Sequence, residues 1–161
     1  MTVVEASIDD DNPYRDLTPE QVTAWLSRYF HGVIGLRFTE ISAERVRSEL
    51  PVTPALQQGA GIVHGGVYCS VVESTASVAA TAWLAGRGRV IGVNNNTDFL
   101  RAVSSGTLFA EATPVHRGRS QQLWSVEVTD DRERAVARGQ VRLHNEYGQV
   151  TLPERPTPSN G

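Results

Sequence analysis

Between Gly65 and Gly86 the chain carries no Lys, Arg or Asp, and Glu73 is the only carboxylate. Small and apolar residues fill every face at helical spacing, from Val67 and Val71 to Ala82 and Leu84. A helix with no wide polar stripe is buried, and about twenty residues suffice to cross a domain core. That length also reaches a membrane span. Glu73, five Ser and Thr residues, and Ala where a span would carry Leu favour a buried helix in a soluble domain. Glu73 is then a carboxylate in apolar surroundings, a cost on the order of several kcal/mol unless it is paired, hydrogen-bonded or protonated. Chains keep such groups for chemistry or for one specific structural bond.

The start of this helix carries a second signal. A helix N-terminus offers unpaired N–H groups and a positive dipole end, and Gly lets a ligand approach that backbone closely. His64-Gly65-Gly66 therefore reads as an oxyanion-binding entrance to a helix that holds a carboxylate further along.

His64-Gly65-Gly66 followed within the same helix by Glu73-Ser74 resembles the hotdog-fold acyl-CoA thioesterases. The group most similar includes the phenylacetate-pathway and 4-hydroxybenzoyl-CoA thioesterases with a catalytic Glu on the central helix. The resemblance runs over roughly residues 30 to 144. It implies that Glu73 either attacks the thioester carbonyl or acts as general base on water, with the Gly65 N–H polarising the carbonyl. It also implies that Gln58 lines the thioester site, with Gln57 as the neighbouring alternative, and that His64 mostly shapes the turn into the helix beside Gly66.

At 161 residues the chain is sized for one domain, and a formal charge of −3 argues against a general nucleic-acid binder. The single cysteine, Cys69, excludes an intramolecular disulfide and fits a reducing cytoplasm. The acidic N-terminus has no basic region leading into an apolar segment, so no signal peptide is expected. Residues 1–16 are expected to be flexible, 17–145 to form one domain, and the Pro-rich 146–161 to be a disordered tail.

Thr18-Pro19-Glu20-Gln21 predicts a helix start, with Val22, Trp25, Leu26 and Tyr29-Phe30 as its apolar face to about Phe30. Strands are predicted over Val33–Ile41 and Glu44–Val52, the second alternating Val46, Ser48 and Leu50 against Arg45, Arg47 and Glu49. After the long helix, Gly86-Arg87-Gly88-Arg89 breaks the pattern. Four more strands are predicted over Val90–Leu100, Thr107–His116, Ser120–Thr129 and Glu133–His144, with a tight turn at Asp130-Asp131-Arg132. Two strands, a long helix and four strands give an α+β chain: a curved antiparallel sheet wrapped around one buried helix, which is the hotdog arrangement.

Gly65 and Glu73 are eight residues apart, so about 12 Å apart along one helix. One carbonyl cannot touch both within one chain. If both act on it, the Gly65 N–H comes from one subunit and Glu73 from its partner. The resemblance matches this with interface sites and implies a homodimer with shared active sites, assembled as a dimer of dimers. Ser77, at i+4 from Glu73, shares its helical face and is placed to orient the carboxylate or the attacking water.

His116-Arg117-Gly118-Arg119-Ser120 concentrates positive charge in an acidic protein and suits the phosphates of coenzyme A. The resemblance also places nucleotide contacts near Arg101. Asn94-Asn95-Asn96-Thr97 is unusually polar for an interior strand, and the resemblance implies that this strand runs beside the acyl pocket, with Asn95 or Thr97 lining it. No Cys or His cluster has metal-ligand spacing, and neither a phosphate loop nor a Ser-His-Asp arrangement stands out.

The reading is a cytoplasmic acyl-CoA thioesterase acting on an aromatic or medium-chain acyl group, without metal or cofactor and with no nucleic-acid or membrane partner. Two rivals stand beside it. A hotdog enoyl-CoA hydratase would use an Asp and His pair before the helix, and no Asp occurs between Glu40 and Gly92. A non-catalytic acyl-CoA-binding protein would have no use for Glu73 together with Gln58.

Overall fold

The long helix α3 (Gly65–Leu84) starts and ends where its sequence directs. His64 is its N-cap, with the Nδ1 atom accepting from the Gly66 N–H at 2.9 Å. At the other end Ala85 (φ 51°) and Gly86 (φ 78°) turn left-handed and stop it. Val71, Val72, Ala76, Val78, Ala79 and Ala80 join one buried cluster with residues from the surrounding elements. Each fully buried Val contributes about 1.5–3 kcal/mol of apolar burial. Among the described residues no helix is long and apolar enough to cross a membrane.

The computed structural model describes residues 12–148. The expectations for residues 1–11 and 149–161 lie outside that range. Around α3 runs one antiparallel sheet of β1 (Arg37–Ile41), β2 (Val46–Pro51), β3 (Gly88–Phe99), β4 (Thr107–Arg117), β5 (Gln121–Thr129) and β6 (Ala135–Tyr147). Their spatial order is β1-β2-β4-β5-β6-β3. This is the curved sheet around a central helix expected from the sequence. The last strand continues through Glu146 and Tyr147, residues assigned above to the tail.

Two rows of paired residues show how the helix comes close. Ser48, Ala110, Val128, Ala137 and Phe99 are aligned across five strands, as are Val46, Ala112, Val126, Gly139 and Thr97. A Cβ on Gly139 would lie 2.7 Å from Val72 Cγ1 of α3 and 2.8 Å from Thr97 Oγ1, so only glycine fits. Buried Ser48 is satisfied by Thr75 Oγ1 at 2.8 Å.

Other sequence-based expectations change as well. Helix α1 (Pro19–Leu26) has the expected capping box, Thr18 with Gln21, but ends before Phe30. The amides of Arg28 and Tyr29 bond three residues back, Tyr29 is extended, and the chain restarts as the short helix α2 (Phe30–Ile34). Gly32 packs there against the Ser27 carbonyl, where a Cβ would come within 1.8 Å. Val33 and Ile34 are consequently helical, and Gly35 (φ 79°) ends that turn before β1 begins at Arg37. Finally, β3 has β6 alone as its neighbour among the described residues, so Asn94-Asn95-Asn96-Thr97 lies on an edge strand and not an interior one. Its polarity suits an edge, where outward groups meet water.

Buried Asp130 closes the β5–β6 turn. It accepts from the Arg134 guanidinium at 2.6 and 2.8 Å and from the amides of Arg132 and Arg134 at 3.0 Å. The Arg134 hydrogen bonds hold its pKa down to about 2, from 3.8. A depressed acid stabilises the fold above its unfolded pKa and ceases to do so as pH falls through the folded one. The stability advantage of the native chain over Asp130→Asn should therefore be complete above about pH 4 and disappear towards pH 2. Urea midpoints of both proteins across that range measure it.

Candidate active site

Glu73 leaves the middle of α3 towards the edge strand β3 and is half-buried. The Asn95 amide nitrogen donates to its Oε2 at 3.1 Å and to the Cys69 carbonyl, one turn earlier, at 3.0 Å. The Asn95 oxygen accepts from the Thr97 hydroxyl at 2.6 Å. Oε1 lies over Gly92, where a Cβ would be 2.1 Å from it. Gly92 was not singled out from the sequence. Its signal was a glycine inside a predicted strand, which marks a bulge or a close approach.

The strand is irregular at this point. Gly92 pairs with Leu143 and Asn95 with Val141, so three steps along β3 match two along β6. The extra residue re-phases the strand, and Gly92 and Asn95 both face Glu73. Further along β3 the Phe99 ring lies against Gly65, where a Cβ would be 2.7 Å from it, and meets the Tyr68 ring at a centroid distance of 5.9 Å. Burial, and secondarily the charge of Asp130, raises the Tyr68 hydroxyl pKa. One face of β3 thus reaches both Glu73 and the α3 N-terminus.

At that N-terminus His64 occupies the Gly66 amide, whereas the Gly65 amide precedes the intrahelical bonds and has no partner within the helix. Gln57 is committed to the Ser104 carbonyl at 2.7 Å, while the exposed Gln58 side chain has no hydrogen bond among the described residues. Of the two glutamines, Gln58 is the one available to a ligand. Ser77 is half-buried, and its hydroxyl makes no bond back to its own helix, unlike Ser70 and Thr75.

The hairpin of Arg117, Gly118, Arg119 and Ser120 lies elsewhere, between β4 and β5 and two strands away from β3. The Arg117 guanidinium is engaged by both Glu44 carboxylate oxygens, at 2.8 and 3.0 Å, and by the Ala43 carbonyl. It also lies 5.7 Å from the centre of the Trp83 ring. Asn145 holds the Gly118 and Arg119 carbonyls at 3.0 and 3.1 Å. Arg101 and Arg119 are exposed and make no ion pair among the described residues. The structure therefore brings Glu73, Asn95 and Thr97 together, and keeps Gly65 and the basic hairpin apart from them within one chain. Among the described residues no three His, Cys, Asp or Glu side chains converge as metal ligands would.

A curved antiparallel sheet wrapped around one long central helix defines the hotdog fold. The chain belongs to the thioesterase superfamily, whose profile matches residues 60–137. It is 56% identical over 119 residues to the Mycobacterium tuberculosis protein Rv1847, an esterase by name, covering 72% of this chain and 85% of that one. The solved structure of that protein superposes with a TM-score of 0.73 at 55% identity, over 75% of this chain and 98% of the other. A thioesterase from Haemophilus influenzae superposes at 0.78 with 25% identity, covering 81% and 92%. The chain is also 28% identical over 120 residues to the Escherichia coli 1,4-dihydroxy-2-naphthoyl-CoA hydrolase, covering 74% and 88%.

Gly92→Ala should displace the Glu73 carboxylate, because the new Cβ would overlap Oε1. Thioester hydrolysis is expected to fall by about a hundredfold, the scale of a misplaced catalytic group. Circular dichroism should show the fold retained.

Proposed function

We propose that the protein hydrolyses acyl-CoA thioesters with Glu73 as nucleophile or general base and the Gly65 N–H as oxyanion donor. The observation that carries this reading is the Glu73 carboxylate, held by Asn95 with one oxygen left over Gly92. The E. coli relative, named for the hydrolysis of an aryl-CoA, supports an aryl or similarly sized acyl group.

In the general-base route Glu73 takes a proton from water as the water oxygen bonds to the thioester carbon. The carbonyl electrons move to an oxyanion at Gly65. Collapse of that intermediate breaks the C–S bond, and the departing thiolate takes the proton from Glu73. In the nucleophilic route the carboxylate itself bonds to the carbon and expels the thiolate, giving an anhydride that water then cleaves. In this reading Ser77 holds the attacking water and Gln58 the thioester. Arg101, after β3, and Arg119, with Ser120 beside it in the β4–β5 hairpin, are the candidates for the CoA phosphates, since neither makes an ion pair among the described residues and Arg117 is engaged by Glu44.

Both routes need two chains. Gly65 and Glu73 are separated by about 12 Å of helix, and the 12-residue β3 exposes an unpaired edge among the described residues. Antiparallel pairing of β3 with a second copy, centred near Asn95 and Asn96, brings the Phe99–Gly65 end of one chain to the Gly92–Glu73 end of the other. A tetramer would be two such dimers.

Glu73→Ala should abolish thiol release from an acyl-CoA panel, by several orders of magnitude, on the scale of losing a nucleophile or general base. Its melting temperature should hold or rise, since a half-buried carboxylate is removed. Normal turnover by the variant would refute the mechanism.

Shared sites have their own test. Glu73→Ala and Gln58→Ala subunits, each inactive, are mixed, and exchange is verified by mass. A mixed dimer would combine both defects in one site and leave the other wild-type, so activity should recover towards half of the wild-type rate per dimer. Recovery absent after confirmed exchange would show that each chain carries its own complete site.

A further inference from the structure

We propose that Asn95 is a positioning residue for Glu73, with Thr97 fixing the Asn95 amide, and that the reacting oxygen is Oε1. This rests on the reading of Glu73 as the catalytic acid. The Cys69 carbonyl can only accept a hydrogen bond, so the Asn95 atom 3.0 Å from it is the nitrogen. That nitrogen has two hydrogens. One goes to Cys69 and the other to Glu73 Oε2, so both donors are engaged. The amide oxygen then faces Thr97, whose hydroxyl donates to it at 2.6 Å. Asn95 is therefore tied at three points, and its bond to Glu73 is aimed by the strand and the helix together.

The carboxylate is treated unequally by this arrangement. Oε2 is held, whereas Oε1 sits over Gly92 with no hydrogen bond from a described residue. In the general-base route the oxygen without a donor keeps its lone pairs for the water proton. In the nucleophilic route the same oxygen forms the bond to the acyl carbon. Thr97 reaches Glu73 only through Asn95, which makes it the sharper probe of the chain of contacts.

The experiment compares Asn95→Ala, Thr97→Val, Thr97→Ser and Glu73→Gln in the full-length protein, with benzoyl-CoA as substrate and thiol release as the signal. Asn95→Ala is expected to lower kcat by about tenfold to a hundredfold, the scale of a misaligned catalytic group, with KM within about twofold. Thr97→Val keeps shape but loses one hydrogen bond, so kcat should fall about fivefold at unchanged KM. Thr97→Ser keeps the hydroxyl and should restore kcat, which a packing role for the threonine would not produce. Normal kcat in Asn95→Ala and Thr97→Val, with Glu73→Gln inactive, would overturn the positioning role while leaving Glu73 as the acid. An active Glu73→Gln would overturn the catalytic reading and the positioning role with it. Should Asn95→Ala fail to fold, the Thr97 pair decides between the same outcomes.

Discussion

The close approach of α3 to the sheet sets the rest of the structure. It depends on small residues on both sides: Ala76, Ala79 and Ala80 from the helix, and Ala110, Ala112, Ala137 and Gly139 from the strands. Interiors pack at near-crystalline density, so a helix held this tightly has one position and one rotation. That rotation points Glu73 sideways at β3, where a carboxylate can be half-exposed and still accept a hydrogen bond. The same rigidity makes the distance from Glu73 to the helix N-terminus a fixed quantity, which the helix cannot close within one chain.

Glu73 accordingly meets the least enclosed part of the sheet. An edge strand exposes backbone donors and acceptors, and it need not be apolar on both faces. β3 uses that freedom. Asn94 and Asn96 are exposed, while Asn95 and Thr97 turn inward to Glu73. The bulge beside Gly92 lets two residues on this strand serve one carboxylate.

The opposite end of the molecule shows how buried polarity can be structural. Gln122 donates to the Ala80 carbonyl and to Asn145, and it accepts from the Trp124 indole. Asn145 in turn fixes the Gly118 and Arg119 carbonyls. This network, with Arg117 on Glu44 and Trp83, holds the basic hairpin against the C-terminal half of α3. A cluster of arginines in sequence gives charge but not direction, and Arg117 and Arg119 have opposite fates for that reason.

The architecture was legible in the sequence because its signals are local and periodic. The uncharged helix with one acid, the alternation of Val46, Ser48 and Leu50, and the capping pair Thr18 and Gln21 each follow from residues a few positions apart. The division of α1 from α2 was not legible. Val33 and Ile34 favour a strand by composition, and packing of Gly32 against Ser27 decided for a helical turn. Glu73 and Gly65 were visible as chemistry, since an isolated acid and a glycine at a helix start are unusual wherever they fold. Their surroundings were not visible. That Asn95 reaches the carboxylate, that Gly92 makes room for it, and that β3 is an edge strand all depend on pairing between residues tens of positions apart. Sequence therefore determined which reactive groups the protein carries, and tertiary structure alone decided which of them meet, because register and strand order are properties of the assembled sheet.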